Sequence, residues 1–334
     1  MRVARLHGAG DVRVGEEPPP APGPGLCLVR VTAVGLCGSD LHWYAEGGIG
    51  DARLERPLVV GHEMAGVVVD GPRDGERVAI DPAIPCQTCR MCRAGHANLC
   101  TEIRFAGHGG CDGGLREFMA WPAALLHRLP EAISDADGAM LEPLGVALHA
   151  ADLGRVRVGA RVAVVGCGPI GMLLVRVARL AGASTVLAVE PLEHRRRAAS
   201  AMGADEVWSP TEADERLTDP AEEGADVVFE VAGTDPAVHT ALLAARPGAR
   251  VVLVGIPDAD STTFVASLAR RKGLTLLLAR RMSDAYPRAI DLVARGQVDV
   301  TSLVTQRYPL DRVGDAFDAA QARRGLKVVV EPHR

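Results

Sequence analysis

The chain has 334 residues, a formal net charge of -5 and a hydrophobic fraction of 48%. That length argues for two domains, and aromatics at only 3% leave the cores to Val, Leu, Ile and Ala. Basic residues collect in no tract, so nothing favours nucleic acid, and no run approaches the roughly 18 apolar residues that span a bilayer.

Lys272 and Lys327 are the only lysines among 37 basic residues, which reads as codon usage in a GC-rich genome. Met1 to Gly10 lacks the apolar stretch of a secretory signal, so the expectation is a cytoplasmic protein. In that compartment eight cysteines are read as metal ligands or free thiols in preference to disulfides.

In chain order, Val3 to Glu17 carries short β-like runs, Pro18 to Pro24 a rigid turn region, and Leu26 to Val34 an alternating strand. From there to about Ala120 the chain is rich in Gly, Pro and Cys. It has β runs at Leu58 to Val60 and Ala65 to Val69 and no long helical periodicity. This predicts a compact, mostly β domain decorated with loops. Ser134 to Leu153 then turns helical.

A different rhythm starts at Arg161 to Val165, an apolar strand. A glycine turn, a helix over Ile170 to Ala181, a strand at Val186 to Val189 and a charged helix from about Leu192 to Met202 follow. Strand signals recur at Val227 to Val231 and Val251 to Val254. Such alternation predicts an α/β fold with a parallel doubly wound sheet. The rhythm ends near Leu274 to Arg281. A helix over Ala285 to Ala294 and strands near Ser302 to Tyr308 and Lys327 to Val330 close the chain. The expected organisation is a nucleotide domain over 149–283, inserted in a catalytic domain made of 1–148 and 284–334. A metal lobe is expected at about 84–104.

The turn after the first strand of that rhythm reads Gly166-Cys167-Gly168-Pro169-Ile170-Gly171. It follows a strand and opens a helix, and the next strand ends in Glu190. Glycines there let the backbone approach a pyrophosphate, which the free N–H groups of the helix N-terminus bind. Glu190 sits where an acid accepts a hydrogen bond from a ribose 2′-hydroxyl and repels a 2′-phosphate, so NAD is favoured over NADP. The run His194 to Arg197 points the other way if an arginine meets a 2′-phosphate; otherwise it is a solvated helix face, with Arg195 against the adenosine.

Cys86, Cys89, Cys92 and Cys100 form C-x2-C-x2-C-x7-C, a spacing that wraps one tetrahedral zinc as thiolates. An iron–sulfur cluster uses similar spacing. Cys27, Cys111 and Cys167 read as packing or turn residues. A second, open set comprises Cys37, His62, Glu63 and Glu142. Three protein ligands with an exchangeable fourth position lower the pKa of an alcohol oxygen, and an alkoxide releases hydride to a nicotinamide. Asp40 is placed to orient His62, and Ser39 and His42 to carry the alcohol proton to solvent. For His42 the alternative is a surface histidine near a turn.

The run Cys37-Gly-Ser-Asp-Leu-His-Trp-Tyr44, then Gly61-His62-Glu63, the four cysteines, Glu142-Pro143-Leu144 and the glycine turn resemble the zinc-dependent medium-chain dehydrogenases. Within them the resemblance is to the polyol branch, the sorbitol (L-iditol), xylitol and L-idonate 5-dehydrogenases, and it extends from Cys27 to Glu331. It implies a GroES-like catalytic domain around a Rossmann domain, and two zinc ions per subunit. The catalytic zinc would be held by Cys37, His62 and Glu63, with Glu142 or water completing the shell. The structural zinc would be held by the four cysteines. For NAD it points to Ile170, Glu190, Arg195, the Val254-Gly255-Ile256 turn and Arg281. It implies a homotetramer or dimer acting on a small polyhydroxylated substrate.

This chain departs from the sorbitol dehydrogenases at Trp43, where they carry Tyr, and at Arg281-Met282, where they carry Arg-Tyr. Phe105 and His108 fall at the remaining pocket positions. The alternatives this leaves open are a zinc dehydrogenase of cyclitols, aminocyclitols or L-threonine, and a non-catalytic nucleotide-binding protein on the same fold.

Overall fold

The computed structural model describes residues 1–219 and 221–334. The chain divides into two compact units, one of Met1–Glu142 with Tyr286–Arg334 and one of Pro143–Ala285. The expected borders at 148/149 and 283/284 therefore move to 142/143 and 285/286. Both the expected first border and the observed one fall within one continuous helix, Leu141–Gly154, which runs from one unit into the other.

The first unit is built on a seven-stranded sheet. Its strands run in the order Leu126–Arg128, Arg77–Ile80, Glu63–Asp70, Leu26–Gly35, Lys327–Glu331 and Val304–Pro309, with Phe118–Pro122 also paired to Leu26–Gly35. Leu26–Gly35 alternates buried and half-buried residues, the signature of a strand with one face on the core. Antiparallel pairing sets Gly35 opposite Glu63 on one side and Val329 on the other. Three strand ends therefore meet at one edge of the sheet. The chain leaves Leu26–Gly35 toward Cys37, enters Glu63–Asp70 from His62, and enters Lys327–Glu331 at Lys327. Leu6, Val29, Val31, Met64, Ile80, Leu115, Met119 and Phe317 fill the core behind that edge.

Two elements differ from expectation. Leu58 to Val60 forms no strand; Leu58 makes a single bridge to Leu6, and all three residues are buried. A short helix, Gly38–Glu46, stands in the segment where helical periodicity was not visible. Nine residues give too few turns for a pattern, and Gly47, in the left-handed region at φ 66°, stops it.

The second unit carries a six-stranded parallel sheet. The order is Glu206–Trp208, Thr185–Val189, Arg161–Val165, Ala225–Glu230, Ala245–Leu253 and Thr275–Leu278. Numbered along the chain this is 3-2-1-4-5-6, with the reversal between Arg161–Val165 and Ala225–Glu230, where such sheets bind dinucleotides. Val162 to Val165, Val186 and Val227 to Phe229 are buried, as a sheet covered on both faces requires. No helix among the described residues is long and apolar enough to cross a membrane.

Candidate active site and metal centres

The edge where the three strand ends meet gathers one donor atom each from Cys37, His62 and Glu63 within 4.8 Å of one another. Asp40 holds the first two in place. It is buried in the first turn of Gly38–Glu46. Its Oδ2 accepts the backbone N–H of Cys37 at 2.9 Å, and its Oδ1 accepts that of Gly61 at 3.0 Å. The same Oδ1 lies 3.4 Å from His62 Nδ1. Occupying Nδ1 leaves the other ring nitrogen as the donor toward a metal. Cys37 is the residue that caps the N-terminus of this helix.

Glu63 is fully buried, and its Oε1 accepts no hydrogen bond. Its Oε2 is in ion-pair contact with Lys327 Nζ, which is also buried. A buried carboxylate oxygen without a donor is costly unless a cation occupies the space before it. Soft sulfur, imidazole and carboxylate together form a donor set that suits zinc. The residues therefore fit the metal that the sequence implies.

Glu142 is buried nearby but is not one of the close triplet. Sequence order put it in the set, whereas its distance depends on how the Leu141–Gly154 helix starts. Burial pushes its carboxyl up to about 7; His62 and Lys327 oppose that shift and Glu63 adds to it.

On the short helix Ser39, His42 and Glu46 are spaced i, i+3 and i+7, so they share a face. His42 Nδ1 lies 3.3 Å from Glu46 Oε1, and Glu46 is half exposed. The sequence reading missed Glu46. Of the expected pocket residues, Phe105 packs its ring 5.2 Å from that of His62, and His108 sits edge-on to Trp43 at 5.6 Å. Trp43 itself is only 3% exposed and belongs to the core. Met282 lies in the other unit, where its sulfur fills the space beside Gly145. Arg281 there adopts a left-handed φ of 56°.

Replacing Asp40 with Ala should weaken metal retention, turnover or both by about 10–100-fold, the usual cost of losing a residue that orients ligands. Metal analysis after dialysis against chelator, together with turnover, checks this, and undiminished metal content with undiminished turnover would sink the assignment.

The four lobe cysteines also bring their sulfurs within 4.8 Å of one another. Three sulfurs already accept backbone N–H groups. Cys86 donates to Cys100 Sγ at 3.3 Å, Cys89 to Cys86 Sγ at 3.3 Å, and Cys92 to Cys89 Sγ at 3.4 Å. Amides aimed at sulfur stabilise thiolates, the form that ligates zinc. Gln87 takes a left-handed φ of 64° to make the turn. All eight cysteines are unpaired.

In the other unit, Gly166, at φ 95°, lies so close to the chain crossing from Ala225–Glu230 that a Cβ would come within 2.9 Å of Ala232 N. Gly168 heads the helix Pro169–Leu180, and a Cβ there would meet nothing within 4 Å. That open space before a helix N-terminus fits a pyrophosphate. Glu190 is buried at the end of the next strand. Its Oε2 accepts Cys167 N–H at 2.8 Å and its Oε1 accepts Leu192 N–H at 3.0 Å. It therefore shapes the glycine turn as well as placing a negative charge beside it. Arg195 is near enough for its charge to be felt at Cys167. Arg196 caps the strand end through the carbonyls of Glu190 and Pro191, and Arg197 pairs with Glu193.

A second buried acid, Glu230, was not anticipated. Its Oε1 accepts Ala232 and Gly233 N–H at 2.7 Å each, and its carbonyl accepts Val254 N–H at 2.8 Å. It pins the turn where the expected cofactor residues Val254, Gly255 and Ile256 begin. An acid ending a third apolar strand was its only signal.

Two family models match this chain. Residues 23–131 match the alcohol dehydrogenase GroES-like domain family and residues 169–295 the zinc-binding dehydrogenase family. The chain is 32% identical to the sorbitol dehydrogenase of Bacillus subtilis, over 100% of this chain and 98% of that one. It is 34% identical to the sorbitol dehydrogenase of Macaca fascicularis, over 98% and 94%. The crystal structure of L-idonate 5-dehydrogenase from Escherichia coli superposes with a TM-score of 0.92 at 30% identity, covering 99% of this chain and 97% of that one.

Proposed function

This chain belongs to the zinc-dependent medium-chain dehydrogenases, in their polyol branch, and from that premise we propose that it oxidises a secondary alcohol of a polyol, sugar acid or similar polyhydroxylated compound to a ketone, with NAD as acceptor. The observation that carries this reading is the Cys37–His62–Glu63 triplet with its unpartnered Glu63 oxygen. The three residues would hold one zinc, with water or Glu142 at the fourth position, and Cys86, Cys89, Cys92 and Cys100 a second. Bound there, zinc supplies a Lewis acid for the substrate hydroxyl, and NAD accepts the hydride.

The protein's own groups do the rest. Asp40 keeps His62 and Cys37 in register. Ser39, His42 Nδ1 and Glu46 Oε1 form a stripe along which the alcohol proton moves to solvent. Phe105, against His62, keeps water from that side. The Gly166–Gly171 turn and the Pro169–Leu180 helix bind the pyrophosphate, and Glu190 favours a free 2′-hydroxyl over a 2′-phosphate. Arg195, Arg281 and the Val254–Ile256 turn complete the cofactor site, and His108 the substrate pocket with Trp43 behind it. The unpaired cysteines support a reducing, cytoplasmic setting. The edge strand Thr275–Leu278, with Leu278 80% exposed, supports assembly into a homo-oligomer.

The test is nicotinamide reduction across sorbitol, xylitol, L-idonate, galactitol, myo-inositol, an aminocyclitol and L-threonine, with NAD or NADP, with and without chelator. The expected result is chelator-sensitive reduction of NAD by a linear polyol or sugar acid. Activity confined to the cyclitol, amino or threonine substrates would replace the substrate class, and chelator-insensitive turnover would remove the zinc mechanism.

A further inference from the structure

We propose that Lys327 is a positioning residue that keeps Glu63 a releasable ligand, by holding one of its carboxylate oxygens while leaving the other to the metal. This rests on the reading that Cys37, His62 and Glu63 hold zinc.

Lys327 and Glu63 begin two strands that flank Leu26–Gly35, and their side chains meet under its last residue, Gly35. A Cβ on Gly35 would collide with Glu63 Oε2 and come within 2.9 Å of Lys327 Cε. The glycine is thus the space in which the pair forms. Its φ is not in the left-handed region, so backbone conformation gives no other reason for it. Both partners are almost fully buried, the ammonium lies on Oε2, and Oε1 accepts no hydrogen bond.

A carboxylate shared between an ammonium and a divalent cation binds each less tightly than it would bind either alone. The type of cation matters. An ammonium is a compact point charge that engages one oxygen, whereas a guanidinium forks across both. Lysine at this place therefore leaves Glu63 one oxygen free, and arginine would not. Asp40 carries the neighbouring negative charge, and its two oxygens are already tied by the backbone N–H groups of Cys37 and Gly61. Within the triplet Glu63 is the member in direct ion-pair contact with Lys327, and Cys37 feels the same ammonium from further away.

The experiment loads the full chain with cobalt(II) and follows release to excess chelator, together with the ligand-field spectrum. The thiolate bands of the four-cysteine lobe serve as internal control. Lys327→Met should slow release from the open site by about 10-fold and shift its bands toward higher coordination; Lys327→Arg should speed release by about as much. In a Glu63→Gln background both effects should vanish, because the lysine acts through that carboxylate. If Lys327→Arg does not fold, the cycle of Lys327→Met, Glu63→Gln and the neutral double variant carries the test. Release unchanged by Lys327→Met, or changed equally with Gln at 63, overturns the proposal. A wild-type chain that takes up cobalt only at the lobe overturns the underlying site reading instead, so the two failures are distinct.

Discussion

Replacing Cys37 with Ser or His62 with Gln should abolish alcohol-dependent NAD reduction while leaving NAD binding intact. The loss should exceed the roughly 100-fold that marks the upper range for residues that only support ligands. Each change removes one of three donors gathered within 4.8 Å, and two donors do not hold zinc against water. The glycine turn and Glu190 lie in the separate unit of Pro143–Ala285, so cofactor affinity should not follow. Turnover by nicotinamide absorbance and NAD titration by calorimetry check the two halves. Surviving turnover would show that the triplet is not the reaction centre. Lost NAD binding would show that the substitution damaged more than the site.

The second large effect is expected in the cysteine lobe. Cys89→Ala or Cys100→Ala should cost one equivalent of metal and unfold residues 86 to 100 locally. The reason is how little else holds them. None of the four residues in the helix Arg90–Arg93 is buried, and the following turn buries only Asn98. A segment without a core of its own takes its order from the metal, whose binding is worth about 10–16 kcal/mol in small zinc modules. Without it, no buried side chains take over the ordering of the Arg90–Arg93 turn. Metal analysis and limited proteolysis test this. A variant as resistant as the parent, with unchanged metal content, would mean that the lobe folds by packing.

The elements that sequence reading recovered are those with a long period or a strict spacing. Arg161–Val165 and its glycine turn stand out because a buried parallel strand is apolar throughout and a phosphate turn needs its glycines at fixed offsets. The four cysteines stand out because one tetrahedral ion restricts their separation. What escaped depends on distance across the fold. Glu142 joined the ligand set by its place in the motif order, yet the structure leaves it outside the close triplet. Sequence alone did not show that Trp43 is nearly buried within its unit, nor that Met282 packs beside Gly145 in the other. Glu46 was invisible because nothing in a nine-residue helix marks which face continues from Ser39 and His42. The clearest missed signal was the lysines. A chain that otherwise uses arginine keeps lysine at two places. The structure sets one against Glu63 and the other, Lys272, on the carbonyls of Leu242, Leu243 and Ala245 at 2.7–3.0 Å. At Lys272 a compact ammonium donates to three converging carbonyls, and at Lys327 it engages one carboxylate oxygen, neither of which a planar guanidinium reproduces.

The scarcity of lysine has a practical side. With Lys327 buried and the Lys272 ammonium already engaged by three carbonyls, neither lysine of the folded protein offers a free amine to acylating reagents. Label reaching Lys327 would report that the strand ends around the active centre had opened, and mass spectrometry of that single residue would follow the opening without any assay of turnover.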